Sequence, residues 1–287
     1  MSSFDETSGG TPVAGSRCRG GGSRRAILVG GAAFAATAGY RRAAAQDIQI
    51  SRRETDPVLV GGRTYDAYVE AADKRGQFAY YSCEFDAAWI VLNTFGIDAA
   101  FEDQLAITGN DRDPEPYAVE TAAGIVVYGG DIAETFCGDF TWNYLAKLRS
   151  PAMRKVFDAY GLDVRPVRDR HDIEAALLRG EPIWLKPTVD FKPFTIATWS
   201  TPDGTTYPTV LDNDHAVVAV GYNHDVVVIK DPLGPTNTNW DRAWEYEVPW
   251  PDFLRCWEAQ ADDGLAVGPP NPISGDGTAG PDAMDVP

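Results

Sequence analysis

The change of hydrophobic period along the chain constrains its fold more than any other feature. Between Glu84 and Gly96, the residues Phe85, Ala88, Trp89, Val91, Leu92 and Phe95 recur at helical spacing, and Gly96 is a natural stop. A second short helix is predicted over 101–108. A third is predicted over 143–160, interrupted near Ser150-Pro151, because proline brings no N–H to a helix interior. A fourth covers 172–179, with Asp172 near its N-cap and Gly180 after it. The period then turns to that of strands. Residues 182–189, 215–221 and 226–230 read as β-rich runs, the last two around the turn Tyr222-Asn223-His224-Asp225. A final helix is predicted over 250–259. Asp111 to Tyr128, acidic and broken by Pro114 and Pro116, reads as a long loop. Helices first and strands later describe an α+β domain.

The two ends differ from this middle. Residues 1–45 begin Gly- and Ser-rich, then run Ser23-Arg24-Arg25-Ala26-Ile27-Leu28 into an Ala-rich apolar stretch, and close on Ala43-Ala44-Ala45. A charged start, a short apolar middle and small residues before a cleavage point read as an export signal. The arginine pair resembles a twin-arginine signal, so an exported, periplasmic or extracellular protein is expected. Residues 46–67 are polar and broken by Pro57, Gly61 and Gly62, and are expected to form an extended arm. Residues 68–267 show no boundary that would split them and are expected to be one domain. Residues 268–287, mostly Gly, Pro and Asp, are expected to be disordered. No run of 18 apolar residues marks a membrane span in the mature chain.

Charge excludes some partners. Without residues 1–45 the chain carries 40 acids against 19 bases. Such a surface repels nucleic acid and anionic lipid, and otherwise is a solvated acidic surface. No cofactor is expected. Three scattered histidines and no CxxC pair make no zinc constellation, and Ala216 and Val217 spoil a calcium loop opened by Asp212 and Asp214.

Four cysteines occur, and Cys18 falls in the removable segment. Of the three left, Cys137 and Cys256 are free either to pair as a disulfide or to stay buried thiols, which would make Cys83 the odd thiol. Cys83 stands where a loop becomes a helix, and helix-start N–H groups favour a thiolate. A lone cysteine there is more often structural, so its neighbours decide. His171 lies in a charged run and His224 in a polar turn, both solvent positions. His215 opens the apolar run Ala216-Val217-Val218-Ala219-Val220, where an imidazole needs a reason to be. Asp231 ends the following strand. It reaches the face of His215 only if the hairpin has an odd connection or a bulge. Gln77, six residues before Cys83, offers an amide that with the Cys83 N–H would hold an oxyanion.

Three blocks then resemble a known family. Gln77…Ser82-Cys83-Glu84-Phe85-Asp86-Ala87-Ala88, Asp214-His215-Ala216-Val217-Val218-Ala219-Val220-Gly221-Tyr222 and Asp231-Pro232-Leu233-Gly234 are similar to the bacteriocin-processing, double-glycine cysteine peptidases, and more narrowly to their free-standing exported relatives. The resemblance implies a papain-like fold, its catalytic helix packed on a C-terminal antiparallel sheet. It implies Cys83 as nucleophile, His215 as base, Asp231 as the residue orienting that base, and Gln77 as oxyanion donor. The chemistry implied is hydrolysis of a peptide or amide through a thioester on Cys83. Two departures stand out. Glu84 occupies a position where relatives often have glycine, and an acid beside a thiolate opposes its charge unless paired or turned outward. The segments 111–140 and 199–211 have no counterpart. Two other readings remain: an acyltransferase that passes the thioester to an amine, and an inactive peptide- or glycan-binding domain using some of the eight tryptophans, whose ordinary role is core packing.

Overall fold

The computed structural model describes residues 57–236 and 240–270. The expected export signal lies outside them, as do residues 46–56 of the expected arm and 271–287 of the tail. The described part of the arm is ordered as a hairpin, β1 (Val58–Val60) and β2 (Arg63–Tyr65), turned by Gly61 and Gly62 at positive φ. Tyr65 is buried, and its hydroxyl donates to Glu247 at 2.7 Å. β3 (Ala67–Tyr68) follows and pairs with Gly221 and Tyr222.

Helix α1 (Cys83–Thr94) and helix α2 (Phe101–Thr108) form as their periodicity predicts. The acidic segment expected to be a loop instead builds strands β4 (Asn110–Asp111), β5 (Tyr117–Thr121), β6 (Gly124–Tyr128) and β7 (Phe136–Cys137). Helix α3 (Ser150–Ala159) starts at the Ser150-Pro151 step rather than breaking there, because proline is tolerated in a first turn, whose N–H groups have no intrahelical acceptor. β8 (Leu162–Pro166) leads to α4 (Arg170–Leu178). The cap of α4 is Asp169, whose side chain accepts from the Asp172 N–H.

The remaining elements are β9 (Ile183–Leu185), β10 (Ile196–Ser200), β11 (Thr206–Val210), β12 (Val217–Tyr222), β13 (Val226–Lys230), β14 (Glu245–Pro249), α5 (Trp250–Glu258) and β15 (Gly264–Pro270). β15 carries ordered chain to Pro270, three residues into the segment expected to be tail.

The main sheet runs β14-β13-β12-β9-β15-β8, with β3 beside β12, and every pairing is antiparallel. Alternate residues of β12 supply two cores, as the pleat requires. Ala216, Val218 and Val220 pack with α1 residues such as Phe85, Ala88 and Val91. Val217 and Ala219 pack with Ile173 of α4 and with Phe253 and Trp257 of α5. A second sheet, β11-β10-β6-β5, is built from residues 117–128 and 196–210, and its β10–β6 pairing is parallel. The fold is α+β and papain-like: a helical first half whose leading helix packs on an antiparallel sheet.

Candidate active site

His215 and Asp231 meet. His215 Nε2 lies 2.8 Å from Asp231 Oδ1, and both side chains are buried. The hairpin achieves this through a bulge. Tyr222 pairs with Val227 and Gly221 with Val228, but Ala219 pairs with Ile229 and Val218 with Lys230, so Val220 is an extra residue on β12. Without it the register at the turn would set Asp231 on the opposite face. With it, Asp231 falls on the face of Val217 and His215. A carboxylate only accepts, so the neutral ring carries its proton on Nε2 and leaves Nδ1 with a lone pair.

Asp231 is fixed at both oxygens. Oδ1 also accepts from the Leu233 N–H at 2.8 Å. Oδ2 accepts from Tyr246 Oη at 2.9 Å and lies 3.0 Å from Arg242 NH1. Burial pushes the Asp231 carboxyl up, but the His215 ring and then Arg242 overcome it and hold the group below the usual carboxylate range. Arg242 is itself held: NH1 pairs with Asp190 Oδ1 at 2.5 Å, and Nε donates to the Gly234 carbonyl at 2.8 Å. A cavity of about 400 Å³ adjoins this pair and is lined by Asn213, Leu233, Pro235, Val189 and Lys192.

Cys83 opens α1, and its backbone N–H, as the first of the helix, has no intrahelical acceptor. The side chain departs from expectation. It is 7% exposed, and its thiol donates to Glu84 Oε2 at 3.2 Å rather than to His215. Burial first, then the Glu84 carboxylate, push the thiol well above its ordinary value, while Lys186 opposes them. In the structure the thiol's hydrogen bond thus runs to Glu84 and not to His215. The helix N-terminus is outweighed by desolvation and an adjacent acid.

Glu84 is paired, not turned outward. Its Oε1 accepts from Lys186 Nζ at 2.6 Å. The same Nζ donates to Asp214 Oδ2 at 2.8 Å, and Lys147 Nζ lies 3.5 Å from that oxygen. All four side chains are buried. Burial would lift Asp214, but Lys147 and Lys186 hold it well below the usual range. Sequence reasoning named none of these four as partners, although a lysine inside the apolar run 182–189 is a visible anomaly. Arg242 and Tyr246 carried no such signal.

Gln77 is half-buried, and its amide makes no hydrogen bond among the described residues. Its neighbours are tied to both halves of the site. The Gly76 N–H donates to the Pro232 carbonyl at 3.1 Å, and the Phe78 N–H to Asp86 at 3.1 Å. Gln77 is thus strung between the Asp231-Pro232 turn and the first turns of α1.

The disulfide considered for Cys137 and Cys256 is not formed. Both are free, buried thiols in separate core clusters, Cys137 with Trp199 and Cys256 with Phe253. Among the described residues Cys83 is therefore one of three free thiols, and the cysteine count does not single it out. His171 and His224 face solvent as expected, His224 at 94% side-chain exposure. Trp184, Trp199, Trp250 and Trp257 are core residues, whereas Trp142 and Trp240 are exposed.

Comparison with known proteins agrees with this architecture. The papain-like arrangement places the chain among cysteine peptidase folds. Residues 67–264 match the Peptidase_C39 like family, and the chain belongs to it. The "Uncharacterized protein YvpB" of Bacillus subtilis is 29% identical over 204 residues, covering 66% of this chain and 69% of its own. The crystal structure of a candidate C39-like peptidase from Bacillus anthracis aligns over 70% of this chain and 96% of its own, at 15% identity and a TM-score of 0.53. A cysteine protease from Carica candamarcensis, solved with E-64, aligns over 70% and 94% at 15% identity and a TM-score of 0.34, too low to add to the argument.

Proposed function

We propose that this chain is an exported cysteine peptidase or amide hydrolase, with Cys83 as nucleophile, His215 as base, Asp231 orienting the base and Gln77 with the Cys83 N–H as oxyanion donors. The observation that carries this reading is the buried His215–Asp231 contact of 2.8 Å, in a peptidase-family fold whose first helix begins at a cysteine. In the proposed cycle the thiol leaves Glu84 and gives its proton to His215 Nδ1, and the sulfur attacks the carbonyl carbon. His215 then protonates the leaving amine as the thioester forms. Water, deprotonated by His215, releases the acid and restores the thiol. The cavity lined by Asn213 and Leu233, each two residues along the chain from His215 or Asp231, has room for part of a peptide.

One observation favours the inactive binding domain instead: the thiol is buried and bonded to Glu84. A pool of internally quenched peptides separates the two readings. The hydrolase reading predicts cleavage by the parent and none by Cys83→Ala. Equal cleavage by both would reject it. Binding of the pool without cleavage by either protein would favour the binding domain. An amine added to the same assay distinguishes transfer from hydrolysis.

A further inference from the structure

The buried Glu84–Lys186–Asp214 arrangement spans the candidate site in an unusual way. Glu84 adjoins Cys83 in sequence and accepts its thiol hydrogen at 3.2 Å. Asp214 adjoins His215. One ammonium, Lys186 Nζ, bonds both carboxylates, at 2.6 Å and 2.8 Å. The helix that carries the cysteine and the segment that carries the histidine are thus tied through a single cation that follows β9. Trp184, two residues earlier, adds a second tie, its Nε1 donating to the Glu84 carbonyl at 3.0 Å.

We propose that Lys186 is a positioning residue for the cysteine–histidine pair: by holding Glu84 and Asp214 together it docks α1 against the segment bearing His215 and fixes the charges that face the Cys83 thiol. This inference rests on the proposed function. Charged groups reach Cys83 from each packed element: Glu84 on its own helix, Lys186 after β9, and Asp214 before β12, with Lys147 behind Asp214. Asp263, before β15, faces Lys186 and Arg149. The carboxylates favour the thiol and the ammonium favours the thiolate, so the Glu84–Lys186 pair acts as an electrostatic setting on the nucleophile. A buried pair of this kind is weak evidence for stability, and its place beside the candidate nucleophile points to another role.

The test is the pH profile of Cys83 alkylation by iodoacetamide in the native full chain, followed by peptide mass analysis. Glu84→Gln keeps the shape, removes one negative charge and leaves Lys186 on Asp214. Its midpoint should fall by at least one pH unit, a tenfold gain in thiolate at a given pH. Lys186→Met should raise the midpoint by a similar amount, and the double variant should lie between them. Lys186→Arg, which keeps the charge, should stay near the parent. Should Lys186→Met not fold, Glu84→Gln and Lys186→Arg carry the test. Variants that lose thermal stability while their midpoints match the parent would show a merely structural pair and overturn the proposal. That failure is distinct from failure of the hydrolase reading, which shows as peptide cleavage by Cys83→Ala or by no protein at all.

Discussion

His215 faces Asp231 because Val220 bulges out of strand β12, a shift of one residue that carries the carboxylate to the histidine's side of the sheet. The contact is then enclosed. Arg242 and Tyr246 occupy the second carboxylate oxygen, so Asp231 has little freedom to turn away.

Asp231→Asn tests whether this orientation matters. The amide keeps the volume but can present a donor to Nε2, which favours the wrong tautomer and leaves Nδ1 protonated. In a serine triad the corresponding change costs on the order of 10⁴ in kcat. A loss of about 10²–10⁴ in peptide hydrolysis, with the protein still folded by circular dichroism, is expected. Turnover within about threefold of the parent would show that Asp231 does not orient the base.

The acid limb of stability follows from the same carboxylates. Asp231 and Asp214 are both held below the usual range, burial opposing and neighbouring cationic or imidazole groups prevailing. A depressed folded-state value means the unfolded chain binds more protons. The stabilisation is therefore present above the unfolded value of roughly 4 and is lost as pH falls through the folded values. The thermal midpoint should drop below about pH 4, and Asp214→Asn should show a shallower drop. An identical slope in the variant would remove Asp214 from that account.

Gly234 links the turn after Asp231 to its support. It sits at φ 63°, its carbonyl accepts from Arg242 Nε at 2.8 Å, and an added Cβ would come within 2.5 Å of the Trp244 ring. Gly234→Ala therefore combines left-handed strain with a clash. It should cost about 1–3 kcal/mol in urea unfolding and reduce hydrolysis through displaced Arg242. A midpoint and turnover equal to the parent's would contradict this role.

The features legible in the sequence were those with a local signal. The apolar period of α1, its glycine stop, and the paired runs 215–221 and 226–230, seen as strands 217–222 and 226–230, are each readable from spacing. So was the requirement for a bulge or an odd connection, though not which of them would occur. Strands β5 and β6 were not readable. Four of the five β5 residues are exposed, so the strand carries no strong apolar alternation, and acids and prolines nearby signal a loop. The partner of Glu84 lies 102 residues away and follows from tertiary packing alone. The thiol's bond to Glu84 is not legible for a related reason. Helix-start reasoning sees the backbone N–H groups but not the burial that opposes ionisation.

The most direct measurement is the rate at which iodoacetamide modifies Cys83 near neutral pH in the parent and in His215→Ala. Cys137 and Cys256 are fully buried and should react only on unfolding, and peptide mass analysis separates the Cys83 peptide from that of Cys18. If His215 takes the thiol's proton, its removal should slow Cys83 modification at least tenfold while the fold persists. Equal rates in the two proteins, or no modification of native Cys83 at all, would contradict a cysteine–histidine pair at this site.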